Sequence, residues 1–267
     1  MQRRDEEEQE AIVKWLTPVA YDHQHSQFLT IREEGTGEWL VNSADFQDWL
    51  GQGEAHTLFC AGMLGAGKTI ITSTVIHYLF RNFQEDSTVG IAYLYGNPRK
   101  DRYEQDPAGL LLSILKQLVQ QKQPPVPASV KRLYVYHRVK RTRPTLKEFK
   151  KALQSIVCSF SRVYIVVDAL DEYRLTDGDR KRFVEWLFEL QSSNKHIRLF
   201  VSSRSIPSIK EAFSTNVKIK SLEIRASEND IQLYLNARIA KLPLSTWDRP
   251  DLESEVKRTI IGEAKGM

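Results

Sequence analysis

Eight consecutive residues carry the clearest chemical signal in this chain. They run from Gly62 to Thr69 with the sequence GMLGAGKT and fit the pattern G-x-x-x-x-G-K-[ST]. Glycines let a backbone wrap closely around phosphate oxygens, and the N–H groups that open the following helix attract anions. Lys68 would then contact the β- and γ-phosphates, and the Thr69 hydroxyl would bind Mg²⁺. The alternative is a structural glycine-rich turn. The phosphate site is predicted to comprise Gly62, Met63, Leu64, Gly65, Ala66, Gly67, Lys68 and Thr69.

The second candidate motif is an acidic residue that follows a run of apolar residues at 163–167. Such a run is typical of a strand buried on both faces of a parallel sheet. The run ends in Asp168, so that carboxylate is expected at the edge of the sheet where ligands bind. An isolated Asp after a strand is usually a turn or cap residue. Beside a phosphate loop, however, a second Mg²⁺ ligand is the favoured interpretation.

Three further charged residues are candidates for catalysis. Asp171 and Glu172 follow Asp168 closely, and one of them could polarise an attacking water. We expect Asp171 first and Glu172 second in that role, the alternative being that Glu172 pairs with a surface arginine. Arg204 follows the apolar run 199–201, and a guanidinium there would sense the γ-phosphate. The alternative is an ordinary solvated arginine.

The elements that must position these residues alternate along the chain. Strand patterns at 56–61, 88–95, 163–168, 197–202 and 217–224 are separated by helical patterns, which indicates an α/β fold. Together with the phosphate motif this predicts a P-loop NTPase of three α/β/α layers. Its sheet should be mostly parallel and five-stranded, with helices flanking it at both ends of the chain.

Three segments are expected along the chain. Residues 1–52 form an N-terminal helical and linker segment, 53–225 the NTPase core, and 226–267 the start of a helical subdomain that is truncated. In the first segment, helices are predicted before Pro18 and from Ser43 to Leu50, and residues 21–39 are predicted to be a loop.

Composition excludes several classes of protein. Hydrophobic residues make up 41% and charged residues 27% of the 267 residues, which is inconsistent with wholesale disorder. The net charge of +4 is too small to indicate a polyanion partner by itself. Apolar runs are too short to cross a bilayer, and the N-terminus has no apolar signal sequence. Cys60 and Cys158 lie among apolar residues, so both are expected to be reduced, buried thiols in a cytoplasmic protein.

Taken together, the motifs resemble the NACHT family of P-loop NTPases, within the STAND class of signal-transduction proteins. The matching pieces are GMLGAGKT at 62–69, YIVVDALDE at 164–172 and LFVSSR at 199–204. The small Ala169 after the metal-binding Asp is also typical of that family. Residues 12–50 resemble the nephrocystin-3-like N-terminal segment of large fungal NACHT proteins.

This resemblance implies several properties. The Arg204 strand should lie between the Asp168 strand and the phosphate-loop strand. The chain should bind ATP or ADP with Mg²⁺, hydrolyse ATP slowly and act as a signalling switch, often in self/non-self recognition. Its expected partners are copies of itself or other NACHT and effector proteins. Thr36 and Gly37 are expected near the adenine or, equally, in a plain surface turn.

Other functions have weaker support. A nucleotide-binding interaction fragment without catalysis is the nearest alternative, and a GTPase would need an N-K-x-D motif that the sequence lacks. The segment 131–143, KRLYVYHRVKRTR, could be a kinase lid or a nucleic-acid-binding stretch. We expect instead a solvated helix face with its tyrosines turned into the core, and therefore no nucleic-acid partner.

Overall fold

The computed structural model describes residues 2–51, 53–97, 105–122, 126–214, 218–241 and 250–264. From β1 onward at least one helix separates each strand from the next, as the hydrophobic pattern predicts. In chain order the elements are α1 (Gln2–Leu16), α2 (Asp22–Ile31), α3 (Glu38–Val41), α4 (Ala44–Leu50), β1 (Thr57–Gly62), α5 (Lys68–Phe83), β2 (Val89–Tyr95), α6 (Pro107–Gln121), α7 (Ala128–Lys140), α8 (Leu146–Val157), β3 (Arg162–Asp168), α9 (Asp177–Ser193), β4 (Ile197–Ser203), α10 (Pro207–Ser214), β5 (Ile219–Ile224), α11 (Glu228–Ile239) and α12 (Pro250–Ala264).

The five strands form one sheet in the order β2-β3-β4-β1-β5, and every neighbouring pair is parallel. The predicted α/β fold is confirmed, and β4 lies between β3 and β1 as the resemblance implied. Strands β2 and β4 are buried along their whole length because helices cover both faces. The carboxyl ends of β1, β3 and β4 therefore meet at one edge, which is where the candidate site lies.

Aromatic side chains show how the two helical layers are fixed to the sheet. On one face Trp49 of α4 contacts Tyr164 and Phe200, with ring centroids 5.4 and 6.1 Å away. Its indole N–H also donates to the carbonyl of Leu199 at 3.0 Å. On the other face Phe59 of β1 stacks on Phe213 of α10 at 4.5 Å. Residues of the N-terminal segment therefore pack into the same hydrophobic core as the sheet.

Residues 21–39 differ from the prediction of a loop, since they contain α2 and the start of the short α3. No residue of α2 is fully buried, so its sequence has little apolar periodicity to detect. Tertiary contacts hold it instead. The His25 Nδ1 and the Tyr95 hydroxyl share a hydrogen bond of 2.8 Å, and the Phe28 ring lies 4.8 Å from that of Tyr95. Burial of His25 lowers its pKa to about 4, so the ring is neutral at pH 7.

The two cysteines have different environments. Cys60 lies in β1 and is fully buried, and this burial raises the pKa of its thiol. Cys158 is exposed, so the expectation that it is a buried thiol was wrong. It is the C-terminal cap of α8 and directly follows the buried Ile156 and Val157.

Two glutamines of α6 cover the edge of β2 that has no neighbouring strand. The side chain of Gln117 accepts a hydrogen bond from the N–H of Tyr93 at 2.9 Å and donates to its carbonyl at 2.8 Å. Gln121, one helical turn later, makes the same pair of bonds with Ile91. Residues four apart on a helix thus match residues two apart on a strand. The edge strand gains the partners that a sixth strand would otherwise provide.

We expect Gln121→Leu to lower the free energy of unfolding by about 1–3 kcal/mol, because it leaves a backbone donor and acceptor without their partners. Gln117→Leu should act in the same way at Tyr93. Urea denaturation measures the effect, with Gln154→Leu on the exposed side of α8 as the matched control. Equal stability of the Gln121 and Gln154 variants would show that the side-chain bonds contribute nothing.

Among the residues that the structure describes, no helix is both long enough and apolar enough to cross a membrane.

Candidate functional site

The glycine-rich loop connects β1 to α5. Gly65 and Gly67 have φ angles of +82° and +81°, a left-handed conformation that other residues rarely adopt. Gly62 is constrained differently, since a Cβ atom there would lie 2.9 Å from the carbonyl oxygen of Ile224 in β5. No side chain caps the N-terminus of α5, so its first N–H groups remain available to an anion. The loop has the geometry expected of a phosphate cradle.

Lys68 begins α5 and is 7% exposed. Its ammonium group donates to the carbonyl oxygens of Gly62 at 3.1 Å and Met63 at 2.8 Å. The charge is thereby held inside the loop that precedes it. Met63 and Leu64 expose their side chains, so these two residues can contact a phosphate only through the backbone.

Asp168 ends β3, is fully buried and accepts three hydrogen bonds from hydroxyl groups. Its Oδ2 accepts from Thr69 at 2.8 Å, and its Oδ1 accepts from Thr72 at 2.7 Å and from Ser202 at 2.8 Å. Burial raises the pKa of Asp168, and the three hydrogen bonds oppose that shift. Thr72 and Ser202 were not predicted from the sequence. Their signals were the spacing of Thr72 from Thr69, one turn along α5, and the position of Ser202 on the strand beside β3.

The pair of Thr69 and Asp168 suits a magnesium ion. Both offer hard oxygen ligands, and Mg²⁺ is commonly held by one or two protein oxygens together with phosphates and waters. In the described part of the chain, no group of three or more His, Cys, Asp or Glu side chains is arranged to hold a metal by itself. A metal at this edge would therefore depend on phosphate oxygens as well as on the protein.

Asp171 and Arg204 are brought into direct contact. The Asp171 Oδ1 accepts from the Ser203 hydroxyl at 3.1 Å and from the Arg204 N–H at 2.7 Å, while its Oδ2 accepts from the guanidinium Nε. Burial acts to raise the pKa of Asp171, but the hydrogen bonds and charge of Arg204 outweigh it and lower the pKa. Both carboxylate oxygens of Asp171 therefore accept hydrogen bonds. The pairing of Asp171 with Arg204 was not predicted from the sequence.

Glu172 differs from Asp171 in its surroundings and in its hydrogen bonds. Its side chain is partly buried, and burial followed by the negative charges of Asp171 and Asp168 raises its pKa. Within the described residues, no hydrogen bond holds its carboxylate. Of the two acids after Asp168, Glu172 is the one free to bind another group.

The turn after β3 is strained. Ala169 has a φ of +46°, which costs a non-glycine residue about 1–3 kcal/mol. The neighbouring strand β4 holds it there: the Ala169 N–H donates to the Ser202 hydroxyl at 2.8 Å, and the Leu170 N–H donates to the Ser202 carbonyl at 2.9 Å. Gly96 after β2 passes so close that a Cβ there would lie 2.6 Å from the Ala169 carbonyl. This fixed turn sets the positions of the acids that follow.

A pocket of about 540 Å³ opens beside the glycine-rich loop. Thr36 and Gly37 line it together with Gly65–Gly67, and α11 forms the opposite wall. The Gly37 N–H donates to Asp230 of α11 at 3.2 Å, which joins the N-terminal segment to the C-terminal helices. The size of this pocket and its largely apolar lining suit a small molecule. The lining also includes Arg32, Ile71, Ile231, Tyr234 and Leu235, none of which the sequence analysis singled out.

Comparison with known proteins places the chain in a family. The family described as "Nephrocystin 3, N-terminal" matches residues 35–204, which is more than half of the chain and includes the glycine-rich loop, Asp168 and Arg204. The chain belongs to this family. The predicted nephrocystin-3 likeness is thus confirmed, although the match begins at residue 35 and extends through β1 to β4 rather than ending near residue 50.

One curated relative of this nephrocystin 3 family member is "Vegetative incompatibility protein HET-E-1" of Podospora anserina. It is 23% identical over 238 residues, which cover 85% of this chain and 17% of the relative. The chain therefore spans about a sixth of that relative. This similarity agrees with the resemblance to fungal NACHT proteins.

Solved structures with a similar chain path include the ORC2 and ORC1 proteins of Aeropyrum pernix. The ORC2 protein in its ADP form has a TM-score of 0.46 and 15% identity, covering 83% of this chain and 55% of that chain. The ORC1 protein in complex with DNA has a TM-score of 0.47 and 15% identity, covering 86% and 53%.

Proposed function

We propose that this chain is a NACHT-type nucleotide switch that binds ATP or ADP with Mg²⁺ and hydrolyses ATP slowly. One observation carries the proposal: the Thr69 hydroxyl lies 2.8 Å from the Asp168 carboxylate. Thr69 directly follows the glycine-rich loop, in which two glycines have the left-handed backbone conformation. Triphosphate binding requires three features to lie close together, and all three are present there: a helix N-terminus, a buried lysine and a strand that ends in an aspartate. The adjacent pocket supports binding of a nucleoside at the same site.

Binding exchanges existing contacts for contacts to phosphate. Lys68, now held by the carbonyls of Gly62 and Met63, would contact the β- and γ-phosphates, and the backbone N–H groups of the loop would hold the remaining oxygens. Thr69 and Asp168 would hold Mg²⁺, which supplies positive charge to the phosphate oxygens when bound. Thr72 and Ser202 fix the Asp168 Oδ1, so that Oδ2 stays directed toward Thr69.

The contacts revise the order of the two candidate bases. Asp171 is committed to Arg204, whereas the Glu172 carboxylate has no hydrogen-bond partner within the described residues and a raised pKa. Glu172 is therefore the better candidate to accept a proton from the attacking water. Asp171 acts through Arg204 by holding its guanidinium at the edge of the sheet, where it would meet the γ-phosphate.

We expect Glu172→Gln to reduce the ATP hydrolysis rate by about 10²- to 10⁴-fold, because the amide cannot accept the proton. ATP affinity should stay close to that of the wild type. Phosphate release under single-turnover conditions measures the rate, and calorimetry measures the affinity. Asp171→Asn is the comparison and should reduce the rate less. The reverse order would assign the base to Asp171. A wild type that releases phosphate no faster than buffer would favour a binding fragment without catalysis.

One relative supports a wider role. The name of HET-E-1 refers to vegetative incompatibility, and we propose that this chain acts as a cytoplasmic signalling switch in self/non-self recognition of that kind. Its partners would be copies of itself or other NACHT and effector proteins. Mass photometry with ADP and with a non-hydrolysable ATP analogue tests the assembly. The proposal requires larger species with the triphosphate, and an unchanged mass in both states would contradict it.

A further inference from the structure

The net positive charge of the chain is concentrated in one short stretch. Residues 131–151 contain nine Lys or Arg residues and one Glu, a net charge of +8, while the whole chain carries +4. The rest of the chain is therefore net negative. A local field of this kind attracts anions even though the overall charge is small.

This stretch folds into an antiparallel pair of helices, α7 and α8. The start of α7 meets the end of α8, where the Ser129 hydroxyl donates to the Ser155 hydroxyl at 2.7 Å. The end of α7 meets the start of α8, where the His137 Nε2 lies 3.3 Å from the Glu148 Oε1. The basic residues are thus displayed by two helices that contact each other at both ends.

One side of this pair forms what we call the α7–α8 basic face. Residues 132, 136 and 140 are spaced by four along α7, as are 147 and 151 along α8, so each set lies on one side of its helix. A groove of about 410 Å³ runs between the two helices. The α7–α8 basic face consists of Arg132, Tyr136, Lys140, Lys147 and Lys151, all exposed.

Tyr136 stands among these cations with 54% of its surface exposed, and the Lys140 ammonium lies 5.6 Å from its ring. The expectation that the tyrosines turn into the core holds for Tyr134, which is 7% exposed, but not for Tyr136. An exposed aromatic ring flanked by cations on two sides is a typical stacking platform for a base.

The one acid in the stretch is used internally. The Glu148 Oε2 accepts from both the N–H and the hydroxyl of Thr145, and together they form the capping box of α8. Its Oε1 faces His137, which is 5% exposed. The negative charge of Glu148 is therefore partly offset where it lies next to the groove.

We propose that the α7–α8 basic face binds single-stranded nucleic acid, a role that does not depend on the nucleotide site. Its four cations would contact phosphates, and Tyr136 would stack on one base, which must be unpaired to reach the ring. A lipid surface fits less well. The exposed apolar residues of α7, Val135 and Val139, line a different groove with acidic residues of α1, including Asp5 and Glu8. They would bring those acids toward anionic lipid.

The test is fluorescence anisotropy of the full chain with labelled oligo-dT and oligo-U of about 20 nucleotides, longer than one common site. We expect saturable binding. The logarithm of the association constant should fall linearly with the logarithm of the salt concentration. Arg132→Gln, Lys140→Gln, Lys147→Gln and Lys151→Gln combined should weaken binding at least about tenfold and flatten the slope by about 0.7 per lost contact. Tyr136→Ala should weaken oligo-dT binding about fivefold or more and leave binding of an abasic strand unchanged.

The matched control removes four exposed charges elsewhere, by Lys181→Gln, Arg182→Gln, Lys195→Gln and Lys210→Gln, and should bind like the wild type. All variants should keep the wild-type melting temperature and ATP affinity, which separates this proposal from the proposed function. The proposal is overturned if no strand binds at low salt, if the control loses as much affinity, or if a duplex binds as tightly as a single strand. Binding to phosphatidylserine vesicles without binding to oligonucleotides would overturn it in favour of a membrane.

Discussion

Lys68→Ala is expected to lower the affinity for ATP and ADP by about 10- to 150-fold. A hydrogen bond to a charged group contributes about 1.5–3 kcal/mol, and here the ammonium is nearly buried and faces the phosphate loop. Alanine removes the charge and leaves the loop backbone in place, because the left-handed conformations of Gly65 and Gly67 do not depend on the lysine. Weak binding through the backbone N–H groups should remain.

Titration calorimetry with ATP and with ADP measures this loss, with Lys181→Ala on the exposed side of α9 as the matched control. Lys68→Ala also leaves the carbonyls of Gly62 and Met63 without their donor, so the melting temperature without nucleotide should be recorded for both variants. A folded Lys68→Ala protein that binds ATP as tightly as the control would contradict the assignment of this loop.

The second large effect is expected for Asp168→Asn, which should abolish the magnesium dependence of ATP binding while sparing part of the affinity. The amide oxygen can still accept hydrogen bonds from Thr72 and Ser202, so the end of β3 should keep its structure. It cannot offer Mg²⁺ a negative charge beside Thr69. Because the substitution also removes a fully buried carboxylate, the protein without nucleotide should be no less stable.

The ratio of ATP affinities with Mg²⁺ and with EDTA is the quantity to measure. We expect a ratio well above one for the wild type and close to one for Asp168→Asn. Asp177→Asn, which changes an exposed carboxylate at the start of α9, should keep the wild-type ratio. If Asp168→Asn also kept it, the metal would be held elsewhere.

Local chemistry explains why much of the fold could be predicted from sequence. The buried run before Asp168 and the glycine-rich loop before α5 are each encoded within a few residues, so strand, loop and helix follow from the local pattern. The contact between Thr69 and Asp168 joins residues 99 positions apart, yet it follows from two parallel strands whose ends meet at one edge. The functional roles of both residues stay predictions.

The features that sequence reasoning missed all depend on distant partners. Helix α2 has a polar sequence, and Tyr95 of β2 holds it through His25 and Phe28. The role of the α6 glutamines depends on their contact with the edge of β2. In the sequence alone, a glutamine on a helix is an ordinary surface residue. Asp171 and Arg204 were each predicted at the site, but the turn at Ala169 decides that they pair with each other.

A crystal structure of the chain grown with Mg²⁺ and a non-hydrolysable ATP analogue tests the central claim most directly. We predict that the β- and γ-phosphates lie within the loop from Gly62 to Thr69, with the Lys68 ammonium on them. One metal should contact both the Thr69 hydroxyl and the Asp168 carboxylate, with the base in the pocket beside Thr36 and Gly37. Density for the analogue at another surface, or a loop that still holds Lys68 on its own carbonyls at saturating ligand, would contradict the account.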